Sequence, residues 1–213
     1  IGSGLVGSEM CIRDSGCASS GVRCMTSSSS PGISLKSEGV SYMAGSDLPC
    51  VIVNVMRGGP GLGGIQPSQS DYWQATRALG HGDFQILVFA PSTVQEMADL
   101  MGRAFDEADK YRMPAMILAD GLLGQMMEPV TFKVGEIQHH DASEKPWATN
   151  GHGNKRRHNI VNSLYLQAEE LERLNIERFE RYETVKKELH EAELYKTCLL
   201  YTSPSPRDRS LSR

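Results

Sequence analysis

The stretch Cys50-Val-Ile-Val-Asn-Val-Met-Arg57-Gly-Gly-Pro60-Gly-Leu-Gly-Gly64-Ile-Gln-Pro-Ser-Gln69-Ser-Asp71 decides the fold. An apolar run ends in one arginine. A loop with five glycines and two prolines follows, and then a helix start at Asp71. A buried strand feeding a glycine-rich loop is how α/β proteins expose backbone N–H groups and a charge at the carboxyl edge of a sheet. Arg57 there points to an anionic ligand, because guanidinium grips carboxylate or phosphate in bidentate fashion. The competing reading is a surface arginine in a turn. Gly-Lys-Ser/Thr is absent, so the loop is no P-loop, and its glycine spacing is not the dinucleotide fingerprint.

Outward from this loop, strands alternate with helices. Gly21 to Thr26 reads as a short strand, with Ser27 to Gly32 as a loop and Ser34 as the cap of a helix to about Gly45. In that helix, Leu35, Val40 and Met43 mark the apolar side. Pro49 to Val55 is a continuous apolar strand, the pattern of one covered on both faces. Asp71 caps a helix to about Leu79. Phe84 to Ala90 and Pro114 to Ala119 are further strands. Between them Ser92-Thr-Val-Gln95 opens the strongest helical stripe, from Val94 to Ala108. Alternation of this kind predicts an α/β fold: three layers, helix–sheet–helix, around a mainly parallel sheet.

After Pro129 the character changes. Residues 131–159 read as a polar linker or extended arm, and residues 160–195 as a long charged helix. That helix has a narrow stripe of Leu171, Leu174, Tyr182, Val185 and Leu189. Glu177–Arg181 and Glu183–Lys187 are favourable pairs at i, i+4. Such a helix is expected to pack on a neighbouring domain or subunit.

The two ends stand apart. Leu5 to Ser15 and Cys198 to Asp208 can be written as translations of opposite strands of one DNA element, resembling a sequencing adaptor. Residues 1–15 and 198–213 are therefore expected to be adaptor-like ends. Residues 16–130 form the α/β domain, 131–159 the linker, and 160–197 a helix leading to a second domain. A signal peptide is disfavoured at residues 1–15 because Glu9, Arg13 and Asp14 interrupt any apolar core.

The net charge is −4, and it stays negative without those ends, which argues against a nucleic-acid surface. No apolar run approaches the roughly 20 residues that span a bilayer. Cys17, Cys24 and Cys50 lack C-x-x-C spacing, which fits a reduced, cytoplasmic protein and excludes a cysteine-ligated iron–sulfur cluster within this segment.

Other candidates have bland readings. Thr26 to Ser30 offers five consecutive hydroxyls, either a solvated loop or a polar lip beside Arg57. Glu38 is a candidate general acid or base, but it lies within a predicted helix, where a solvated face is the better reading. His81-Gly-Asp83 reads as a turn. Ala119-Asp120-Gly121 with Asn150 only imitates the metal–diphosphate motif of thiamine diphosphate enzymes. His139, His140, Asp141, His152 and His158 lie in a polar linker without zinc spacing.

At Met25-Thr-Ser-Ser-Ser-Ser-Pro-Gly-Ile-Ser-Leu-Lys-Ser-Glu-Gly and Val53-Asn-Val-Met-Arg-Gly-Gly-Pro-Gly-Leu-Gly, the chain resembles the 2-oxoacid:ferredoxin oxidoreductases. It is similar to their subunit carrying the pyrimidine-binding domain for thiamine diphosphate. Gln69-Ser-Asp-Tyr, Gly80-His-Gly-Asp83, Asp120 to Pro129 and Lys145-Pro-Trp-Ala-Thr149 agree, so the likeness runs from Gly16 to Tyr195. Gly-Pro-Gly-Leu-Gly leans toward the branched-chain (3-methyl-2-oxobutanoate) type. The 2-oxoglutarate type more often has Ser-Thr after that proline.

The resemblance implies oxidative decarboxylation of a 2-oxoacid, with coenzyme A taking the acyl group and ferredoxin the electrons. Arg57, Gly58 and Gly59 would face the substrate carboxylate. Thr26, Ser27 and Ser28 would lie near thiamine diphosphate, which is shared with a partner subunit. Magnesium and iron–sulfur clusters would sit elsewhere in the complex. The family's cofactor-activating glutamate belongs to a helix before the first strand, of which only Cys17 to Ser20 matches. Glu38 does not occupy that position, and no catalytic residue is assigned, so this chain alone is expected to be inactive. The alternative of another class is a non-catalytic anion-binding module whose long helix mediates assembly.

Overall fold

The computed structural model describes residues 7–132 and 144–189. Four strands form one sheet: β1 (Met25–Ser28), β2 (Val51–Met56), β3 (Leu87–Phe89) and β4 (Ala115–Asp120). Their order is β1-β2-β4-β3, and every pairing is parallel. Helices α1 (Gly7–Ser19), α2 (Pro31–Gly45) and α3 (Val94–Tyr111) flank the sheet, and α4 (Ala168–Glu188) follows later. The expected α/β class and parallel sheet are therefore present.

The two faces of the sheet are read by parity. Ile52, Met56, Met116 and Leu118 pack with Ala18 of α1 and Ile33, Val40 and Met43 of α2. On the opposite parity Val51, Val53, Ala115 and Ile117 are buried, and α3 lies across β2, β3 and β4 with Ala104, Ala108 and Tyr111 turned inward. Removing each large aliphatic side chain from water contributes about 1.5–3 kcal/mol, so β2 and β4 anchor the domain.

Several boundaries differ from the sequence reading, each for a local reason. The first strand begins at Met25 and runs on to Ser28, so Ser27 and Ser28 are strand residues and not loop. Helix α2 starts three residues before Ser34, because Pro31 is preset for the first helical position. Leu35 is more than half exposed, and Lys36 takes the inward position instead. Asp71 does not cap its helix with its carboxylate, which is engaged elsewhere; Gln74–Ala78 wind as a π-helix. The cap of α3 is Thr93, one residue later than expected. Its hydroxyl accepts the Glu96 N–H at 3.1 Å, while Glu96 reaches back to the Ser92 N–H at 2.7 Å.

Helical conformation continues back through residues 7–15, which the sequence reading set aside. Extending a nucleated helix costs little once a first turn exists. Within the supposed arm, residues 144–149 are docked. Ala148 is fully buried, Thr149 N–H donates to the Ser19 carbonyl at 2.7 Å, and Lys145 pairs with Asp109 at 2.6 Å. The polar average of that window concealed Trp147 and Ala148. His139, His140 and Asp141 lie outside the described residues, as do residues 198–213.

Helix α4 is shorter than predicted, because residues 160–167 are not helical; residues 190–197 lie outside the described set. Its ion pairs include Arg173–Glu177 and, at 2.6 Å, Glu183–Lys186. Tyr182 and Val185 of the expected stripe are buried. Among the described residues, no helix is long and apolar enough to cross a membrane.

Candidate functional site

In a parallel sheet, all carboxyl ends share one edge, and the loops leaving neighbouring strands meet there. Three such loops converge here, following β1, β2 and β4. Gly121 N–H donates to the Met56 carbonyl at 3.1 Å, and Gln69 Nε2 donates to Asp120 at 2.9 Å. These bonds tie the loop after β2 to the end of β4. Ser30 and Arg57 tie it to the end of β1, since Arg57 N–H donates to the Ser30 hydroxyl at 3.0 Å.

The loop after β2 is closed on itself. Arg57 and Pro67 form an antiparallel bridge, and Gly58 N–H donates to the Gln66 carbonyl at 2.9 Å. Gly64 N–H donates to the Gly58 carbonyl at 2.8 Å. Gly63 permits this turn: its φ is +63°, and a Cβ there would lie 1.8 Å from the Gly58 oxygen. Arg57 then spans the loop, its Nη1 donating to the carbonyls of Leu62 and, at 3.0 Å, Gly64. A guanidinium has five N–H donors in a fixed fork. Nη1 carries both of these contacts, and the Nε–Nη2 edge has no partner among the described residues. That edge has the geometry that binds a carboxylate in bidentate fashion.

The hydroxyl candidates divide. Thr26 is buried under α2, its hydroxyl accepting from the ammonium of Lys36, which is itself only 1% exposed. Ser27 is exposed. Ser28 ends the strand against α2, where a Cβ on Gly32 would meet its Oγ at 2.0 Å. The polar lip beside Arg57 therefore begins at Ser28; Thr26 belongs to the interior, and the Ser30 hydroxyl is engaged by Asp71 and the Arg57 N–H. Gly58 and Gly59 stand at the mouth of the Arg57 loop.

Carboxylates at this edge are already engaged. Asp71 accepts from Ser30 Oγ at 2.5 Å and Asn54 Nδ2 at 3.1 Å. Asp120 accepts the Leu123 N–H at 2.7 Å, and that bond, with Gln69, holds its carboxyl below the usual range. Glu38 is exposed and accepts from Tyr42 at 2.6 Å, as expected of a solvated face. His81 to Asp83 form a turn, with positive φ at Gly82 and Asp83. Asn150 is engaged by Arg156. His152 and His158 meet edge to face at 4.2 Å. Among the described residues, no three His, Cys, Asp or Glu side chains converge as a metal site.

The sequence reading missed Asn54 and Lys36. A lone asparagine in an apolar strand was the available signal, since a buried amide requires partners.

Comparison with known proteins follows the same lines. Residues 7–193 match the family described as pyruvate flavodoxin/ferredoxin oxidoreductase, thiamine diphosphate-binding. Over 171 residues, 80% of the chain, it is 48% identical to the ketoisovalerate oxidoreductase subunit VorB of Methanothermobacter thermautotrophicus. Over 115 residues it is 50% identical to the 2-oxoglutarate synthase subunit KorA of the same organism, covering 53% of the chain and 30% of that relative. The alignment spans only 48% of the VorB relative's length. In fold the chain is similar to a 2-oxoglutarate:ferredoxin oxidoreductase from Magnetococcus marinus, solved with 2-oxoglutarate, coenzyme A and succinyl-CoA bound. The TM-score is 0.65 at 20% identity, over 90% of this chain and 38% of that one. The chain belongs to the thiamine diphosphate-binding domain family of the pyruvate flavodoxin/ferredoxin oxidoreductases.

Proposed function

We propose that the chain is part of a subunit of a 2-oxoacid:ferredoxin oxidoreductase acting on a branched-chain 2-oxoacid. The 48% identity to a ketoisovalerate oxidoreductase subunit over 80% of the chain carries this reading. The physical support is Arg57, a cation held at a strand end with one fork edge open toward a carboxylate.

Thiamine diphosphate, when bound, supplies the carbon nucleophile that attacks the 2-oxoacid carbonyl and allows CO₂ to leave. The residues present fit one wall of such a site. Ser28 offers a hydroxyl, Gly58 and Gly59 offer backbone, and Arg57 orients the anionic end of the substrate. They do not fit a complete site, because Asp71 and Asp120 at this edge are both engaged by internal donors. Magnesium, the iron–sulfur clusters and the coenzyme A and ferredoxin contacts belong to other parts of the assembled enzyme. Exposed Leu62 and Ile65 on the loop after β2, Tyr72 and Trp73 on the helical turn that follows it and Met127 after β4 lie toward this edge, which fits an edge covered by other subunits in the assembly.

A 2-oxoglutarate specificity is the second reading, favoured by the KorA match over the shorter segment. The test is ferredoxin reduction by the full-length subunit assembled with its partners, offered branched-chain 2-oxoacids, 2-oxoglutarate and pyruvate in turn. The highest kcat/KM is expected for a branched-chain acid, and no activity is expected from the chain alone. Preference for 2-oxoglutarate would establish the second reading. No 2-oxoacid-dependent reduction by the complete assembly would leave the non-catalytic anion-binding module.

A further inference from the structure

Backbone strain at this edge is concentrated where β1 turns into α2. Ser30 adopts φ +31° and ψ −87°, a region that residues with a Cβ rarely occupy. Its amide and hydroxyl are held there by short bonds, with the Arg57 carbonyl a longer contact of the hydroxyl at 3.3 Å. Its N–H donates to Asn54 Oδ1 at 3.1 Å, and its hydroxyl donates to Asp71 Oδ2 at 2.5 Å. The hydroxyl oxygen accepts the Arg57 N–H at 3.0 Å. Asn54 closes the ring by donating Nδ2 to the same Asp71 oxygen at 3.1 Å.

The direction of this network is determined by chemistry. Asp71 as a carboxylate only accepts, and at 2.5 Å it takes the single Ser30 proton in preference to the Arg57 carbonyl at 3.3 Å, so a Ser30 lone pair faces the Arg57 N–H. Asn54 is fully buried and Ser30 nearly so, so loss of a partner is not repaired cheaply by water. Strand pairing needs none of these side chains, because β2 bonds β1 and β4 through its backbone. Strained residues persist where surrounding bonds over-determine them, and they cluster at sites whose geometry matters. Here the network ends on the peptide from which the Arg57 side chain springs.

We propose that Ser30, Asn54 and Asp71 are positioning residues for Arg57, setting the affinity for the anionic substrate through the placement of its guanidinium. This rests on the reading of Arg57 as the substrate's cation.

The test compares Ser30→Ala, Ser30→Gly, Asp71→Asn, Arg57→Ala and the double variant Arg57→Ala/Asp71→Asn in the full-length assembled enzyme. kcat and the KM values for the 2-oxoacid and coenzyme A are measured, with thermal unfolding to verify folding. Arg57→Ala is expected to raise the 2-oxoacid KM about tenfold or more. Ser30→Ala, Ser30→Gly and Asp71→Asn are each expected to raise it roughly threefold to tenfold, with kcat and the coenzyme A KM little changed. Glycine relieves the strain but lacks the hydroxyl, so wild-type behaviour of Ser30→Gly would overturn the proposal. Once Arg57 is alanine, Asp71→Asn should add nothing further; full additivity would also overturn it. Should Ser30→Ala fail to assemble, Ser30→Gly, which removes the hydroxyl while relieving the strain, carries the test. An unchanged KM in Arg57→Ala is a different failure: it removes the reading of Arg57 on which the proposal stands.

Discussion

Arg57 Nη1 donates to the Gly64 carbonyl at 3.0 Å, so the cation of this site also holds its own loop closed. The same nitrogen reaches the Leu62 carbonyl. One side chain thus organises the loop with one nitrogen, and its Nε–Nη2 edge has no partner among the described residues.

This double duty separates arginine from lysine. Lysine is a point charge without a fork, and it cannot clasp two carbonyls and grip a carboxylate together. Arg57→Lys is therefore expected to keep less than about a tenth of the wild-type kcat/KM for the 2-oxoacid. It should also make residues 58–66 more susceptible to limited proteolysis. Wild-type kinetics in this variant would show that charge alone suffices.

Gly63 is a second sensitive point. At φ +63°, with a Cβ due 1.8 Å from the Gly58 oxygen, alanine forces the loop open. Gly63→Ala is expected to destabilise the protein by roughly 1–3 kcal/mol in denaturant unfolding. It should raise the 2-oxoacid KM as well, because the Arg57 clasp depends on that turn.

Lys36 tests the interior. Its stem is buried and its ammonium rests on the Thr26 hydroxyl. An apolar side chain of similar volume avoids desolvating a charge, so Lys36→Met should be neutral or stabilising. Lys36→Ala leaves a cavity and should cost about 2–4 kcal/mol. Equal losses in both variants would show that the ammonium matters more than the volume.

The cap of α3 carries a pH dependence. The Ser92 hydroxyl and then its N–H hold the Glu96 carboxyl below its ordinary value of 4.5. A carboxyl with a depressed folded value stabilises the fold above its unfolded value, and that contribution fades as pH falls through the folded one. Protection of the Ser92 amide, measured against its intrinsic exchange rate at each pH, should accordingly fall as the pH drops through the lowered Glu96 value, below 4.5. Thr93→Ala should cost about 1 kcal/mol at neutral pH, measured by thermal unfolding.

The α/β class was legible because β2 and β4 are written as apolar runs and α3 as a clear helical stripe. Burial of both sheet faces imposes those patterns on the sequence itself. The position of Arg57 at the end of β2 was legible for the same reason, as the first charge after a buried strand. The capping residue of α3 was misplaced by one position because Ser92 and Thr93 are both good caps. Only the competition for Glu96 decides between them.

By itself, then, the sequence determined the parallel sheet and marked the edge at which its strand-end loops gather, with Arg57 as the candidate cation. These follow from local periodicity and from the order of strands and loops. Only the tertiary structure decided what that cation touches. It brought Ser30, Asn54 and Asp71 together across 41 positions of chain, turned Thr26 inward onto Lys36, and docked Trp147 and Ala148 on the domain. Hydrogen bonds between distant loops leave no periodic trace in a sequence, because their partners are chosen by the register of neighbouring strands and not by spacing along the chain.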